Sequence, residues 1–119
     1  MRLHHVQLLI PPGGEDVARG FYAGVLALTE VEKPPELKKR GGCWFRHDQL
    51  ELHLTPVDDF RPATRAHPGM LVEDLDRWAG KLETAGRPVK WDADFPGYRR
   101  FHSADDHGNR LEFLEAIRD

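Results

Sequence analysis

The stretch His5-Val-Gln-Leu-Leu-Ile10 returns in altered form as His67-Pro-Gly-Met-Leu-Val72. Further along, Leu50-Glu51-Leu52-His53-Leu54 answers to Leu111-Glu112-Phe113-Leu114-Glu115, so that 46 residues separate His5 from Glu51 and 45 separate His67 from Glu112. Self-similarity at this spacing marks two copies of one supersecondary unit, and it outranks local propensity as evidence of architecture. A His and a Glu kept at matching places in both copies point to a metal site between them.

Working outward, Leu3 to Ile10 is an extended apolar run that Pro11-Pro12-Gly13-Gly14 must end. From Glu15 to Leu26, the residues Val17, Ala18, Phe21, Tyr22, Val25 and Leu26 fall at helical spacing behind an acidic first turn. Thr29 to Glu32 is a short strand and Pro34 to Gly42 a solvated loop. Cys43 to Phe45 and Leu50 to Pro56 are strands around a turn at His47-Asp48. Val57 to Ala66 links the halves, and the pattern restarts. Ala66 to Val72 is a strand, and Asp74 caps a helix with Leu75, Trp78, Ala79, Leu82 and Ala85 on one face, stopped by Gly86. Pro88 to Trp91, Arg99 to Ser103 and Asn109 to Ala116 complete the second β-α-β-β-β set. The reading is an α+β chain, one domain over 1–119, made of module 1–57 and module 65–119 that form a curved mixed sheet around a cleft.

With 119 residues, neither half is large enough to fold well without the other. A net charge of −3 with interspersed signs offers no basic stripe, which argues against nucleic acid. The chain starts directly in strand pattern and contains no apolar run near the roughly 20 residues a membrane span needs. No membrane role and a cytoplasmic location are expected. Cys43, the one cysteine, excludes an internal disulfide and reads as a small apolar strand residue.

Because side chains alternate along a strand, His5 and Gln7 share a face opposite Val6, Leu8 and Ile10. Gln49, Glu51, His53 and Thr55 share another, opposite Leu50, Leu52 and Leu54, and Glu112 opposes Leu111 and Phe113. If the modules enclose a cleft, His5, Glu51, His67 and Glu112 converge in it. A single strand histidine is ordinarily a surface or satisfied core residue, but four matched positions make a nitrogen and oxygen set suited to zinc, nickel, manganese or ferrous iron.

These segments, with Phe21-Tyr22 in the first helix and Gly108-Asn109-Arg110-Leu111-Glu112-Phe113 near the end, give the chain its resemblance to the vicinal oxygen chelate superfamily of glyoxalases, bleomycin-resistance proteins and extradiol dioxygenases. The resemblance implies paired β-α-β-β-β modules, usually a homodimer, and one divalent metal held by His5, Glu51, His67 and Glu112. It also leaves His53 open as the ligand, with Glu51 then supporting it or carrying a proton. In that family the metal chelates adjacent oxygens of a small substrate and stabilises the charge developing on them. Glu112 and Glu51 are the expected catalytic carboxylates. The family's Asp-Pro-Phe-Gly-Asn turn is Asp105-Asp106-His107-Gly108-Asn109 here, where His107 reads as a solvated turn residue.

Trp44, Arg46, Tyr98 and Arg100 are candidates to line the substrate pocket. Guanidinium forks, Arg61, Arg65 and Arg99 included, suit a carboxylate or phosphate. Two function classes follow: a metalloenzyme of lyase, isomerase or dioxygenase type, and a metal-free binding protein of bleomycin-resistance type. The retained ligand set favours the enzyme.

Overall fold

In the computed structural model, which describes residues 1–118, the duplication is visible as two four-stranded mixed sheets. The first has the order β1-β4-β3-β2, with β1 Val6–Ile10, β2 Thr29–Val31, β3 Cys43–His47 and β4 Leu50–Pro56. The second repeats it as β5-β8-β7-β6, with β5 Gly69–Leu71, β6 Lys90–Trp91, β7 Tyr98–Ala104 and β8 Arg110–Ala116. β1 runs parallel to β4 and β5 parallel to β8, while all other pairs are antiparallel. This is the α+β architecture of paired β-α-β-β-β modules that the resemblance implies.

The helices are α1 Glu15–Arg19, α2 Pro35–Lys38 and α3 Leu75–Thr84. The predicted helix over 15–26 is α-helical only to Arg19 and continues as a π-helical turn over Gly20–Val25, closed by Leu26 N donating to Phe21 O at 3.0 Å. Consecutive Phe21 and Tyr22 are both buried there. A 3.6-residue pattern does not announce such a widened turn. The predicted loop 34–42 contains the short helix α2, which Pro35 can start because the first helical N–H has no partner to lose. In α3 the Asp74 carboxylate accepts from Arg77 N at 3.2 Å, as its capping role requires. Gly42 is the glycine the first hairpin needs. At φ +87° it lies so close to β4 that a Cβ would stand 2.1 Å from Leu54 O.

One apolar cluster serves both modules. It includes Leu8, Ile10, Phe21, Tyr22, Cys43, Phe45, Leu52 and Leu54 from the first and Leu75, Leu82, Phe101, Leu111 and Phe113 from the second. Phe101 and Phe113 stack at 5.0 Å, and Trp78 bridges from Phe113 to His47. Cys43 is buried and its thiol is pushed up to about 11 by burial, consistent with a packing residue. No helix among the described residues is long and apolar enough to cross a membrane.

A buried polar knot joins the modules. Asp105 accepts from Tyr22 OH at 2.6 Å, from the Asn109 backbone at 2.9 Å and side chain at 3.0 Å, and from His107 N at 3.0 Å. Asn109 Nδ2 also donates to Leu9 O on β1 at 2.8 Å, and its Oδ1 accepts from Ala63 N at 3.1 Å. His107 is not the solvated turn residue expected from its neighbours: its ring pairs with Gly14 O at 2.9 Å, fixing the turn against the segment before α1. Replacing Asn109 by Ala strips one bond from the buried Asp105 carboxylate and two from backbone groups of Leu9 and Ala63, and an orphaned buried group costs about 1–3 kcal/mol. Urea unfolding of Asn109→Ala is expected to show a loss of about 2–4 kcal/mol, with the slope of the transition unchanged.

Candidate metal centre

The ladder register decides what shares a face. In the second module Gly69 pairs with Glu112 and Glu112 with His102; in the first Gln7 pairs with His53 and His53 with Trp44. His67 and His5 each stand two residues before the first member of these rows. The positional counterpart of Glu112 is therefore His53, not Glu51, and the counterpart of His102 is Trp44. Matching Leu50-Glu51-Leu52 with Leu111-Glu112-Phe113 by residue type shifts the repeat by two positions, because the segment from the leading His to the third strand is longer in the first module, 39 residues from His5 to Trp44 against 35 from His67 to His102.

The second module brings three donors together. His67 Nε2 lies 2.8 Å from Glu112 Oε1 and His102 Nε2 lies 3.5 Å from the same oxygen. Among the described residues these form the one trio of His, Cys, Asp or Glu whose ligand atoms all lie within 4.8 Å of one another. Ligands each about 2.0–2.2 Å from a common ion stand about 3 Å apart, so two imidazoles and a carboxylate at these spacings fit a divalent cation. The tautomer sharpens the fit. His67 Nδ1 donates to Arg65 O at 2.7 Å, so its Nε2, 2.8 Å from the Glu112 carboxylate, meets it either through its own N–H or through a cation held between the two. Two acceptors at that distance require a proton or a cation between them.

The surroundings hold the charge states needed for ligation. Burial alone would raise Glu112, but hydrogen bonds from His67 and Arg100 outweigh it and keep the carboxyl below its ordinary range. Burial, then the Arg110 charge, keeps His102 below the usual imidazole value. Arg100 is clamped between Glu112 at 3.2 Å and Asp92 at 3.1 Å. Tyr98 follows on the same face of β7 and packs its ring on Phe95 at 4.9 Å.

The first module builds a different cluster on its corresponding face. His53 is stacked between Trp44, at 3.8 Å and 3°, and His5, at 4.1 Å and 18°. Its Nε2 faces Glu51 at 3.0 Å, and Arg46 donates to Glu51 at 2.7 Å. Arg46 first, then His53, holds Glu51 below the carboxylate norm, while burial lowers His53 despite Glu51. Thus the chain joins His67 with Glu112 and His5 with His53 and Glu51, but does not bring His5 or Glu51 into the His67–Glu112 trio. Arg99 is committed to Asp76 at 3.0 Å.

His102 escaped sequence reasoning. The signal existed, since Arg100 was placed in the pocket and the residue two further on shares its face. No repeat partner marks it, because the equivalent position is Trp44.

A histidine whose folded value is depressed contributes stability above its unfolded value of about 6.5, and that contribution is lost as pH falls through the folded value. Glu51 and Glu112, also depressed, act with the same sign in a lower window. Urea midpoints of the metal-free protein are therefore expected to drop as pH falls from about 6.5 into the carboxylate range. The upper part of that fall should flatten in a His53→Gln, His102→Gln double variant.

No family model and no curated protein matches the chain, but solved structures do. A glyoxalase family protein from Bacillus anthracis is 41% identical, with a TM-score of 0.95, and the match covers 98% of this chain and 96% of that one. A lactoylglutathione lyase from Agrobacterium tumefaciens shares the fold at 20% identity and TM-score 0.75, covering 96% and 92%. So does the fosfomycin resistance protein FosX from Listeria monocytogenes, solved with Mn(II) and 1S,2S-dihydroxypropylphosphonic acid, at 15% identity and TM-score 0.77, covering 98% and 92%. With its duplicated modules, the register of their strands and this overall likeness, the chain belongs to the glyoxalase family of the vicinal oxygen chelate superfamily.

Proposed function

We propose that the chain acts as a homodimeric metalloenzyme on a small-molecule substrate, by lyase, isomerase or dioxygenase chemistry. The observation that carries this reading is the convergence of His67, His102 and Glu112, whose ligand atoms all lie within 4.8 Å of one another, with His67 Nε2 2.8 Å from the Glu112 carboxylate. Each protomer carries two incomplete donor sets, so the reading places His67 and Glu112 of one protomer opposite His5 and His53 of the other. Glu51 then accepts from His53 Nε2 as the outer carboxylate that orients a ligand imidazole, and being ionised it can also take a proton from substrate. A divalent ion there, zinc, nickel, manganese or ferrous iron, would supply Lewis acidity to adjacent substrate oxygens. Arg46, Trp44, Tyr98 and Arg100 frame the substrate, and modules 1–57 and 65–119 act as one domain.

What the protein's own groups do follows from their charge states. Neutral imidazoles ligate without first losing a proton, so metal uptake should weaken as pH falls. Glu112, held ionised by His67 and Arg100, cannot act as an acid until one of these hydrogen bonds is released.

Metal content by mass spectrometry, after stripping and reloading with each of the four ions, tests the reading. One ion per chain is expected in the wild type, with the amount falling at least about tenfold in Glu112→Ala, as loss of a direct ligand implies. Should no ion load, the groove of about 1570 Å³ between the modules becomes the place to seek a sequestered small molecule.

The shared-site arrangement has its own test. His5→Ala and Glu112→Ala homodimers should both fail to hold metal, while a mixed dimer of the two concentrates both changes in one site and recovers half the wild-type content. A mixed dimer that recovers no metal would place the centre within a single chain, and full retention in His5→Ala would remove His5 from the ligand set.

A further inference from the structure

Next to the His67–His102–Glu112 trio, on the same face of the second sheet, lies a cavity of about 620 Å³. Register explains its composition. Lys90 on β6 pairs with His102, which pairs with Glu112, and Ala104 pairs with Arg110 one row along. Lys90, His102, Ala104 and Arg110 all line the cavity, together with Asp92 and Asp94 from the loop after β6.

The charges around it are unequally committed. Arg100 is spent between Asp92 and Glu112, so these three neutralise one another except for one negative unit. Lys90 and Arg110, by contrast, make no ion pair and no side-chain hydrogen bond among the described residues. Lys90 is exposed and Arg110 half-buried. Asp92, Asp94 and Glu112 balance Lys90, Arg100 and Arg110 one for one. A divalent cation added at the trio would leave the region with two positive charges in excess, which a neutral substrate does not offset.

We propose that this cavity is an oxyanion subsite, in which Lys90 and Arg110 hold the carboxylate, phosphate or phosphonate of a substrate whose other oxygens reach the His67–His102–Glu112 centre. The proposal rests on the metal reading for the second anchor of the substrate, but the subsite itself uses only charges the chain carries. Arg110 supplies a planar fork for two-point contact and Lys90 a point charge from the adjoining row. The substrate class is thus an anionic small molecule with chelating oxygens close to its charged group. A neutral diol or catechol would leave both cations without a partner.

Calorimetric titration with methylphosphonate, acetate and neutral ethylene glycol tests this, using the full chain with and without metal at low ionic strength. One of the two anions is expected to bind even the metal-free protein, and which one binds tighter separates a phosphonate-type from a carboxylate-type substrate. Lys90→Met and Arg110→Met should each weaken that binding about tenfold or more, as loss of a charge-assisted bond predicts. Arg110→Lys should recover part of it, and Lys39→Met, which removes the same charge elsewhere, should leave it unchanged. Failure of both anions to bind, or equal binding by wild type and the Lys90 and Arg110 variants, overturns the subsite. Anion binding that tracks these residues in a protein that loads no metal would overturn the metal reading and leave the subsite standing.

Discussion

The most directional constraint on the relative placement of the two modules is the Asp105 carboxylate, buried between them and supplied with four donors. A buried ionised group without such partners would destabilise the fold strongly. Satisfied, it specifies one arrangement. Tyr22 reaches it from the π-helical turn and stays a donor, since burial first and Asp105 next push the phenol well up. Asn109 extends the same knot to Leu9 O on β1. The β7–β8 hairpin that carries His102 and Glu112 is thereby tied, at its turn, to the strand that follows His5. Apolar packing of Phe101, Phe113 and Trp78 contributes most of the burial but leaves orientation freer than directional bonds do.

The architecture was legible because hydrophobic alternation and duplication are both one-dimensional. Strands ending at Ile10, Pro56 and Ala116 and the helix capped by Asp74 follow from period and capping chemistry alone. The knot was not legible, because Tyr22, Asp105 and Leu9 are far apart in sequence and none carries a local signature of the others. His107 shows the same limit: a polar residue in a Gly-Asn turn reads as solvated until the second module is placed against Gly14. At the site, residue types were found more readily than their equivalence. Glu51 attracted the match with Glu112 because both are Glu, whereas the ladders pair His53 and Glu112 with the corresponding strands. Type similarity fails where two copies have diverged, and hydrogen-bond register does not.

That divergence explains why the halves are chemically unlike despite their common frame. At the row of His53, the first module sets Trp44 opposite and stacks His5 on the other side, so the imidazole lies between two ring faces. At the row of Glu112, the second module sets His102 opposite and adds Arg100 diagonally. One half offers an apolar, flat-walled surface with a single ionised carboxylate at Glu51; the other offers converging donors among balanced charges. Between two such faces, an ion would be held mainly by the second module, while the planar part of a substrate would find its stacking surface on the first.

This asymmetry also bears on the proposed pairing with a second copy. The knot at Asp105 and Asn109 and the shared apolar cluster occupy the faces through which the modules of one chain meet. The faces bearing His53 and Glu112 lie on the opposite side of each sheet, because Leu52, Leu54, Leu111 and Phe113 alternate with them and are buried in that cluster. A side chain cannot serve both surfaces of one strand. For the two donor sets to meet across a closed cleft, the knot and the cluster would have to open; a second protomer can cover both faces at once while leaving them intact.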